Sequence, residues 1–223
     1  MRVLLAIAPY DICEFYPSYQ SRRLRLFKGK GLIPGVTPPL GLLYLSATLK
    51  RHGIKVRVFD GAHHDRNDFF ELLNSFKPNL VGFSSTAPMW QRTLELARIV
   101  KERYKLPIVV GGANINTAGV DLIAEEPSVD FAIQGDAEIV LLGLCKELMQ
   151  NKKNFKTRGL AWKRSNKLVK NPPIPFYFTN LDLIPFPDRL AIDHSEYCPS
   201  IGFYRCLLYT SDAADEGLGV DLG

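Results

Sequence analysis

Three short groups of residues offer binding chemistry: Ser84-Ser85-Thr86, Gly111-Gly112-Ala113-Asn114 and Gly135-Asp136-Ala137-Glu138. Hydroxyl and amide side chains donate and accept hydrogen bonds at small steric volume, and glycines let the backbone approach a flat or bulky ligand closely. Taken singly, each group reads as ordinary turn and helix-start chemistry, because Gly-Gly turns and Ser/Thr helix starts are common. Their placement sets them apart. Each follows a short apolar run, Leu80 to Phe83, Ile108 to Val110 and Phe131 to Ile133, and ligands of open α/β sheets bind beyond the carboxyl ends of such strands. Together on one rim they predict a seat for a large planar cofactor, with a tail running between the sheet and neighbouring helices.

Other chemistry-bearing residues carry less. His63-His64 lacks a third metal ligand at suitable spacing, so solvated loop histidines are expected. Cys13, Cys145, Cys198 and Cys206 form no C-x-x-C pair and no zinc spacing, which argues against a disulfide framework or structural metal and for reduced thiols. Cys145 falls in the apolar phase of a helix and reads as core. A C-x-x-x-C-x-x-C cluster motif starting at Cys198 fails at Gly202 and Arg205. The sequence offers no obvious partner for Glu125-Glu126 or Asp60, and they are assigned no acid–base role. The basic group Arg22, Arg23, Arg25, Lys28 and Lys30 reads as a solvated loop with a lesser option of meeting an anion. No G-x-G-x-x-G follows the first strand, which weakens a dinucleotide reading.

The elements that must position the three groups follow from apolar periodicity. Continuous apolar runs alternate with amphipathic stretches, as in a parallel sheet covered by helices on both faces. Strands are expected at Val3 to Ala8, Val56 to Phe59, Leu80 to Phe83, Ile108 to Val110 and Phe131 to Ile133. Helices are expected after Pro38-Pro39, across Phe69 to Phe76, at Gln91 to Tyr104, near Ala118 to Glu125 and at Glu138 to Gln150. This is an α/β fold, a doubly wound five-stranded parallel sheet of the Rossmann or flavodoxin-like kind. A small hairpin around Ser165-Asn166 and a proline-rich linker (Pro172, Pro173, Pro175, Pro185, Pro187) are expected to follow. The expected divisions are 1–151 for the α/β domain, 152–205 for hairpin and linker, and 206–223 for a tail.

Composition bounds the function. The chain has 223 residues, 46% of them hydrophobic and 23% charged, which excludes a disulfide miniprotein and a disordered or collagen-like chain. No apolar run approaches the roughly 18 residues of a membrane span, and the N-terminus lacks a signal-peptide pattern, so a cytoplasmic protein is expected. The formal charge of +5 suits anionic cofactors, but no nucleic-acid-binding motif accompanies it. From Cys206 onward the sequence looks like a translated sequencing adapter, so 206–223 is expected to be non-native and the gene to continue.

An ordered series of motifs runs through the chain: Pro38-Pro39-Leu40-Gly41-Leu42-Leu43-Tyr44-Leu45, Val81-Gly82-Phe83-Ser84-Ser85-Thr86, Val109-Val110-Gly111-Gly112, Asp130-Phe131-Ala132-Ile133-Gln134-Gly135-Asp136-Ala137-Glu138 and Leu181-Asp182-Leu183-Ile184-Pro185-Phe186-Pro187-Asp188. In this order it resembles the N-terminal half of cobalamin-binding radical SAM enzymes, a group that includes the anaerobic oxidative cyclase of bacteriochlorophyll synthesis and many methyltransferases. The resemblance covers 1–205. It implies that Ser84, Ser85, Thr86, Gly111, Gly112 and Ala113, with the adjoining Asn114, line a pocket for the corrin and its nucleotide tail. Pro39, Leu40 and Gly41 would shape the corrin side of the first helix. Gly135 and Glu138 occupy the family's G-E-G-E position, from which Asp136 and Ala137 depart. A D-x-H-x-x-G motif is absent, so a histidine ligand to cobalt is not expected.

The resemblance further implies a following radical SAM domain of the same chain, with a [4Fe-4S] cluster and S-adenosylmethionine in the full-length parent. This stretch, lacking the cluster cysteines, is expected to be inactive alone. Two alternatives stand beside it: a separate cobalamin or small-ligand carrier, and a nucleotide-binding enzyme on a similar sheet.

Overall fold

The computed structural model describes residues 1–11, 33–34, 36–165, 167–174 and 181–198. The expectations for the Arg22 to Lys30 group, Cys13, Cys206, Asn166, Pro175 and the 206–223 tail lie outside the described residues. The chain divides into two compact units, Met1–Tyr10 with Pro39–Ile192, and Asp11–Pro38 with Asp193–Gly223.

The larger unit is built on one sheet. β1 (Arg2–Ile7) is followed by α1 (Leu40–Arg51), β2 (Lys55–Asp60), α2 (Arg66–Phe76), β3 (Leu80–Ser84), α3 (Trp90–Tyr104), β4 (Ile108–Gly111), α4 (Ala113–Ala118), β5 (Phe131–Ile133) and α5 (Glu138–Met149). A hairpin, β6 (Leu160–Arg164) and β7 (Lys167–Lys170), completes it. The strand order is β2-β1-β3-β4-β5-β6-β7. The first five strands are parallel, and the hairpin adds two antiparallel strands at the β5 edge. The sheet therefore continues past the five expected strands.

Strand parity assigns the faces, because residues two apart point the same way. Leu5, Gly82 and Val109 lie side by side across β1, β3 and β4, and this row faces the core shared with Leu42, Leu43, Leu49, Leu141 and Leu144 of α1 and α5. Phe83 points to the other face and meets Phe69 of α2, ring centroids 6.0 Å apart. At the hairpin edge, Phe155 stands edge-on to both Phe131 and Trp162, at 4.9 Å and 5.3 Å. α1 ends where expected: His52 and Gly53 donate to Leu49 and Lys50 carbonyls, and Gly53 takes φ +75°, the αL turn that glycine adopts without strain.

The fourth helix corrects the sequence expectation. Helix was expected near 118–125, but α4 occupies Ala113–Ala118 and stops at Gly119. A 3-10 turn, Val120–Ile123, follows. Ile115, Val120 and Ile123 are all buried, so an apolar signal spread over two short pieces resembled one helix.

The amino ends of β4 and β5 are bolted by ion pairs. Asp130, just before β5, accepts from Lys101 at 2.6 Å and from the Ile108 amide at 2.8 Å. Glu126 pairs with Arg98 at 2.7 Å and accepts from the Ser128 hydroxyl at 2.8 Å. Its backbone carbonyl takes a hydrogen bond from Lys163.

The segment 181–192 is a strap along α1. Asp188 accepts from Ser46 Oγ at 2.6 Å, pairs with Lys50 at 2.5 Å and donates its amide to the Leu43 carbonyl. Arg51 donates to the Leu183 carbonyl, and Ala191 and Ile192 pack on the core.

In the smaller unit, Ile33–Pro34 pairs in parallel with Tyr197–Cys198. Asp193 caps the turn His194–Glu196 by accepting from the Ser195 amide at 2.9 Å. No described helix is long and apolar enough to cross a membrane.

Candidate functional site

A glycine in one transverse row of the sheet and a serine–glycine pair in the next open a cavity on the α1 and α5 face. Gly82 sits between Leu5 and Val109, and one row further along, Ser84 lies beside Gly111. Large side chains at these positions would fill the space beneath α1 and α5. Instead a cavity of about 190 Å³ remains at the carboxyl end of the sheet. Its walls are Leu5, Val109 and Ile133 from the sheet, Gly41, Leu42 and Leu45 from α1, and Ala137, Glu138 and Leu141 at α5. In the order 2-1-3-4-5 the topological switch point lies between β1 and β3, where open α/β sheets take their ligands. Both of those strands contribute to the wall.

The rim is held by its own hydrogen bonds. The Ser85 amide donates to the Gly111 carbonyl at 3.0 Å, and the Asn114 amide returns to the Ser85 carbonyl at 2.9 Å. Thr93 Oγ1 adds a hydrogen bond to Ser85 Oγ at 3.1 Å. Asn116 Oδ1 accepts from the Gly135 amide at 2.8 Å, and Gln134 donates to the Asn116 carbonyl at 3.2 Å. The loops after β3, β4 and β5 thus form one connected shelf. Gly112 makes it possible: its φ is +91°, and a Cβ there would meet Ser84 Oγ at 2.7 Å and the Ser85 amide at 2.9 Å. Gly41 differs, since a Cβ on it would enter open space.

Of the residues singled out in the sequence, Gly41, Ser84, Gly111, Gly112, Gly135 and Glu138 meet at the cavity. Ser85 and Asn114 are buried and staple the rim. Thr86 and Ala113 face solvent, and Pro39 and Leu40 stand outside the cavity wall. Gly82, Leu5, Leu42, Leu45 and Leu141 also line the cavity and were not among the site residues expected from the sequence. Gly82 carried a readable signal, since a glycine within an apolar strand marks a close approach by backbone or ligand.

Glu138 is the one ionisable side chain of the wall that stands out chemically. Burial pushes its carboxyl above the usual range, its own backbone amide works against that, and Asp136 adds to it. Its Oε2 is buried without a hydrogen-bond partner. Among the described residues no cluster of three His, Cys, Asp or Glu could hold a metal ion. Cys145 is buried in the core, where burial pushes its thiol up to about 12.

The residues fit a corrinoid's nucleotide tail. An apolar cavity of about 150 Å³ holds benzene, so 190 Å³ walled mainly by Leu, Val, Ile and Gly accepts a flat aromatic base. The stapled shelf beside it presents backbone rather than bulky side chains at the cavity rim.

Fold and cavity together are those of an α/β module with an open cavity at the switch point of a flavodoxin-like sheet. A family model described as B12 binding domain matches residues 31–144, just over half of the chain. The chain belongs to the B12-binding domain family. An uncharacterised methyltransferase of Pyrococcus horikoshii is 28% identical over 169 residues, which cover 74% of this chain and 36% of that protein. The anaerobic magnesium-protoporphyrin IX monomethyl ester cyclase of Synechocystis is 27% identical over 143 residues, covering 62% and 29%.

Among solved structures, the cobalamin-dependent S-adenosylmethionine radical enzyme OxsB with aqua-cobalamin bound shares the fold at TM-score 0.64 and 19% identity, over 85% of this chain and 24% of that one. The radical S-adenosylmethionine methyltransferase TsrM of Kitasatospora setae, with cobalamin and a [4Fe-4S] cluster bound, matches at TM-score 0.57 and 18% identity, over 77% and 31%. The chain thus spans about a third of the length of the curated relatives it matches. It is a B12-binding domain, similar in sequence to part of a methyltransferase and of an anaerobic cyclase, and it shares its fold with cobalamin-dependent S-adenosylmethionine radical enzymes.

Proposed function

We propose that this chain binds cobalamin at the carboxyl end of its sheet, as the corrinoid-holding part of a longer radical SAM enzyme. The observation that carries this reading is the notch made by Gly82, Ser84 and Gly111 under α1 and α5. The apolar wall holds the aromatic base of the nucleotide tail and excludes water from it. The shelf of Ser84, Ser85, Gly111 and Gly112 orients the macrocycle, with Gly135 and Glu138 bordering the tail. When bound, cobalamin supplies methyl-carrier or electron-transfer chemistry that no protein side chain provides. A radical SAM domain of the same parent chain, with its [4Fe-4S] cluster and S-adenosylmethionine, is the partner we assign. We also assign the chain to the cytoplasm, on the reduced-thiol cysteine pattern of its sequence.

The test is retention of colour. Purified chain mixed with hydroxocobalamin and desalted is expected to keep the visible corrin spectrum. Gly41→Phe adds a ring at a cavity-lining helical position where a Cβ meets nothing within 4 Å, and is expected to abolish retention while the circular dichroism spectrum stays native. A colourless wild-type protein overturns the reading; undiminished retention by Gly41→Phe places the tail elsewhere.

A further inference from the structure

Beside the apolar cavity lies a second chamber of about 520 Å³, lined by Tyr44 of α1, Asp136 and Glu138 at the start of α5, and Asp182, Ile184, Pro185 and Phe186 of the strap. Asp136 and Glu138 line both spaces. Among the described residues, neither lining contains a lysine or arginine. Carboxylate oxygens accept hydrogen bonds, so this boundary suits a neutral group that donates them. Glu138 has the acceptor to meet one: its Oε2 is buried and unpartnered. A buried carboxylate oxygen in that condition carries a desolvation penalty that a donor relieves.

We propose that Glu138 selects corrinoids that carry a ribonucleotide tail, its Oε2 accepting a hydrogen bond from a ribose hydroxyl. The inference rests on the cobalamin reading above. If the base occupies the apolar cavity, the group attached to it is the ribose, and Glu138 stands at the boundary between the two spaces. The ribose offers neutral hydroxyl donors.

The full chain is titrated with hydroxocobalamin, and separately with diaquacobinamide, which keeps the corrin and its amides but lacks the ribose and base. Visible spectra give the dissociation constants for wild type, Glu138→Ala and Glu138→Gln. Glu138→Ala is expected to weaken hydroxocobalamin binding roughly tenfold or more and to leave cobinamide within about twofold. Glu138→Gln, which keeps an acceptor oxygen, recovers part of the loss. Hydroxocobalamin binding by Glu138→Ala at the wild-type level, or an equal loss with both corrinoids, overturns the proposal. If Glu138→Ala does not fold, Glu138→Gln decides: a several-fold loss confined to hydroxocobalamin supports it, and no loss or an equal loss overturns it. Failure of the wild-type chain to bind either corrinoid sinks the cobalamin reading itself, whereas cobalamin binding indifferent to Glu138 sinks only this inference.

Discussion

Glu138 is held at a disadvantage in the ligand-free protein. Burial raises its folded-state pKa, its own amide hydrogen bond offsets this in part, and Asp136 adds to the rise. For a carboxyl with a raised pKa, the folded state binds its proton more tightly than the unfolded chain does. Stability is therefore greater below the unfolded value of about 4.3 and falls as pH climbs through the folded one. Glu138→Gln removes that charge. Its thermal midpoint without ligand is expected to exceed the wild type's near neutral pH, with the gap closing below about pH 4; a lower midpoint at neutral pH would show that helix N-terminal attraction outweighs burial. Residues of this kind were legible in sequence because they follow strands directly. Leu5 and Leu45 were not, because their place at the cavity depends on neighbours brought alongside by pairing register and helix packing. Thr86 and Ala113 share the loops of Ser84 and Gly111 and yet face solvent. Proximity in sequence fixes a loop but not the direction of each side chain within it.

At the scale of elements, the strap is the part whose position comes from specific polar contacts. Asp188 accepts from Ser46 and Lys50 and donates its amide to Leu43. Burial alone would raise its carboxyl, but the Lys50 and Ser46 hydrogen bonds and the Lys50 charge hold it below the usual range. A depressed carboxyl contributes stability above its unfolded value of about 3.9 and loses it as pH falls through the folded one. Asp188→Ala is expected to reduce stability by about 1–3 kcal/mol by stranding the part-buried partners, and to make 181–192 the first site of limited proteolysis near neutral pH. Wild-type cleavage kinetics in the variant would mean that Ala191 and Ile192, rather than Asp188, secure the strap. The prolines of this stretch led to an expected linker, but not to where the chain lies against α1. The five parallel strands were readable because each is a short apolar run between turn signals. The hairpin's attachment to β5 was not, since Leu160, Ala161 and Trp162 become core only beside Phe131 and Phe155.

The larger unit as a whole is asymmetric along its strands. At the amino end, Asp130 and Glu126 are locked by Lys101, Arg98 and the backbone. Burial opposes ionisation of Glu126, yet the hydrogen bonds from Arg98 and Ser128 keep its carboxyl below the usual range. At the carboxyl end the small residues leave space, and the loops are joined chiefly by backbone and amide hydrogen bonds. A fold arranged this way is stabilised at one end and open to a ligand at the other. Binding should accordingly stabilise the open end. At cobalamin one hundredfold above its dissociation constant, linkage contributes about 2.7 kcal/mol, a rise of roughly 5–10 °C in the thermal midpoint of a domain this size. In hydrogen exchange the added protection is expected in the loops 84–86, 111–114 and 134–138, with the amides of Ile108 and Val129 at the amino end changing only as far as global stability does. Added protection concentrated at that amino end would put the cofactor on the wrong side of the sheet, and the Gly82–Ser84–Gly111 notch would then be a packing defect rather than a seat.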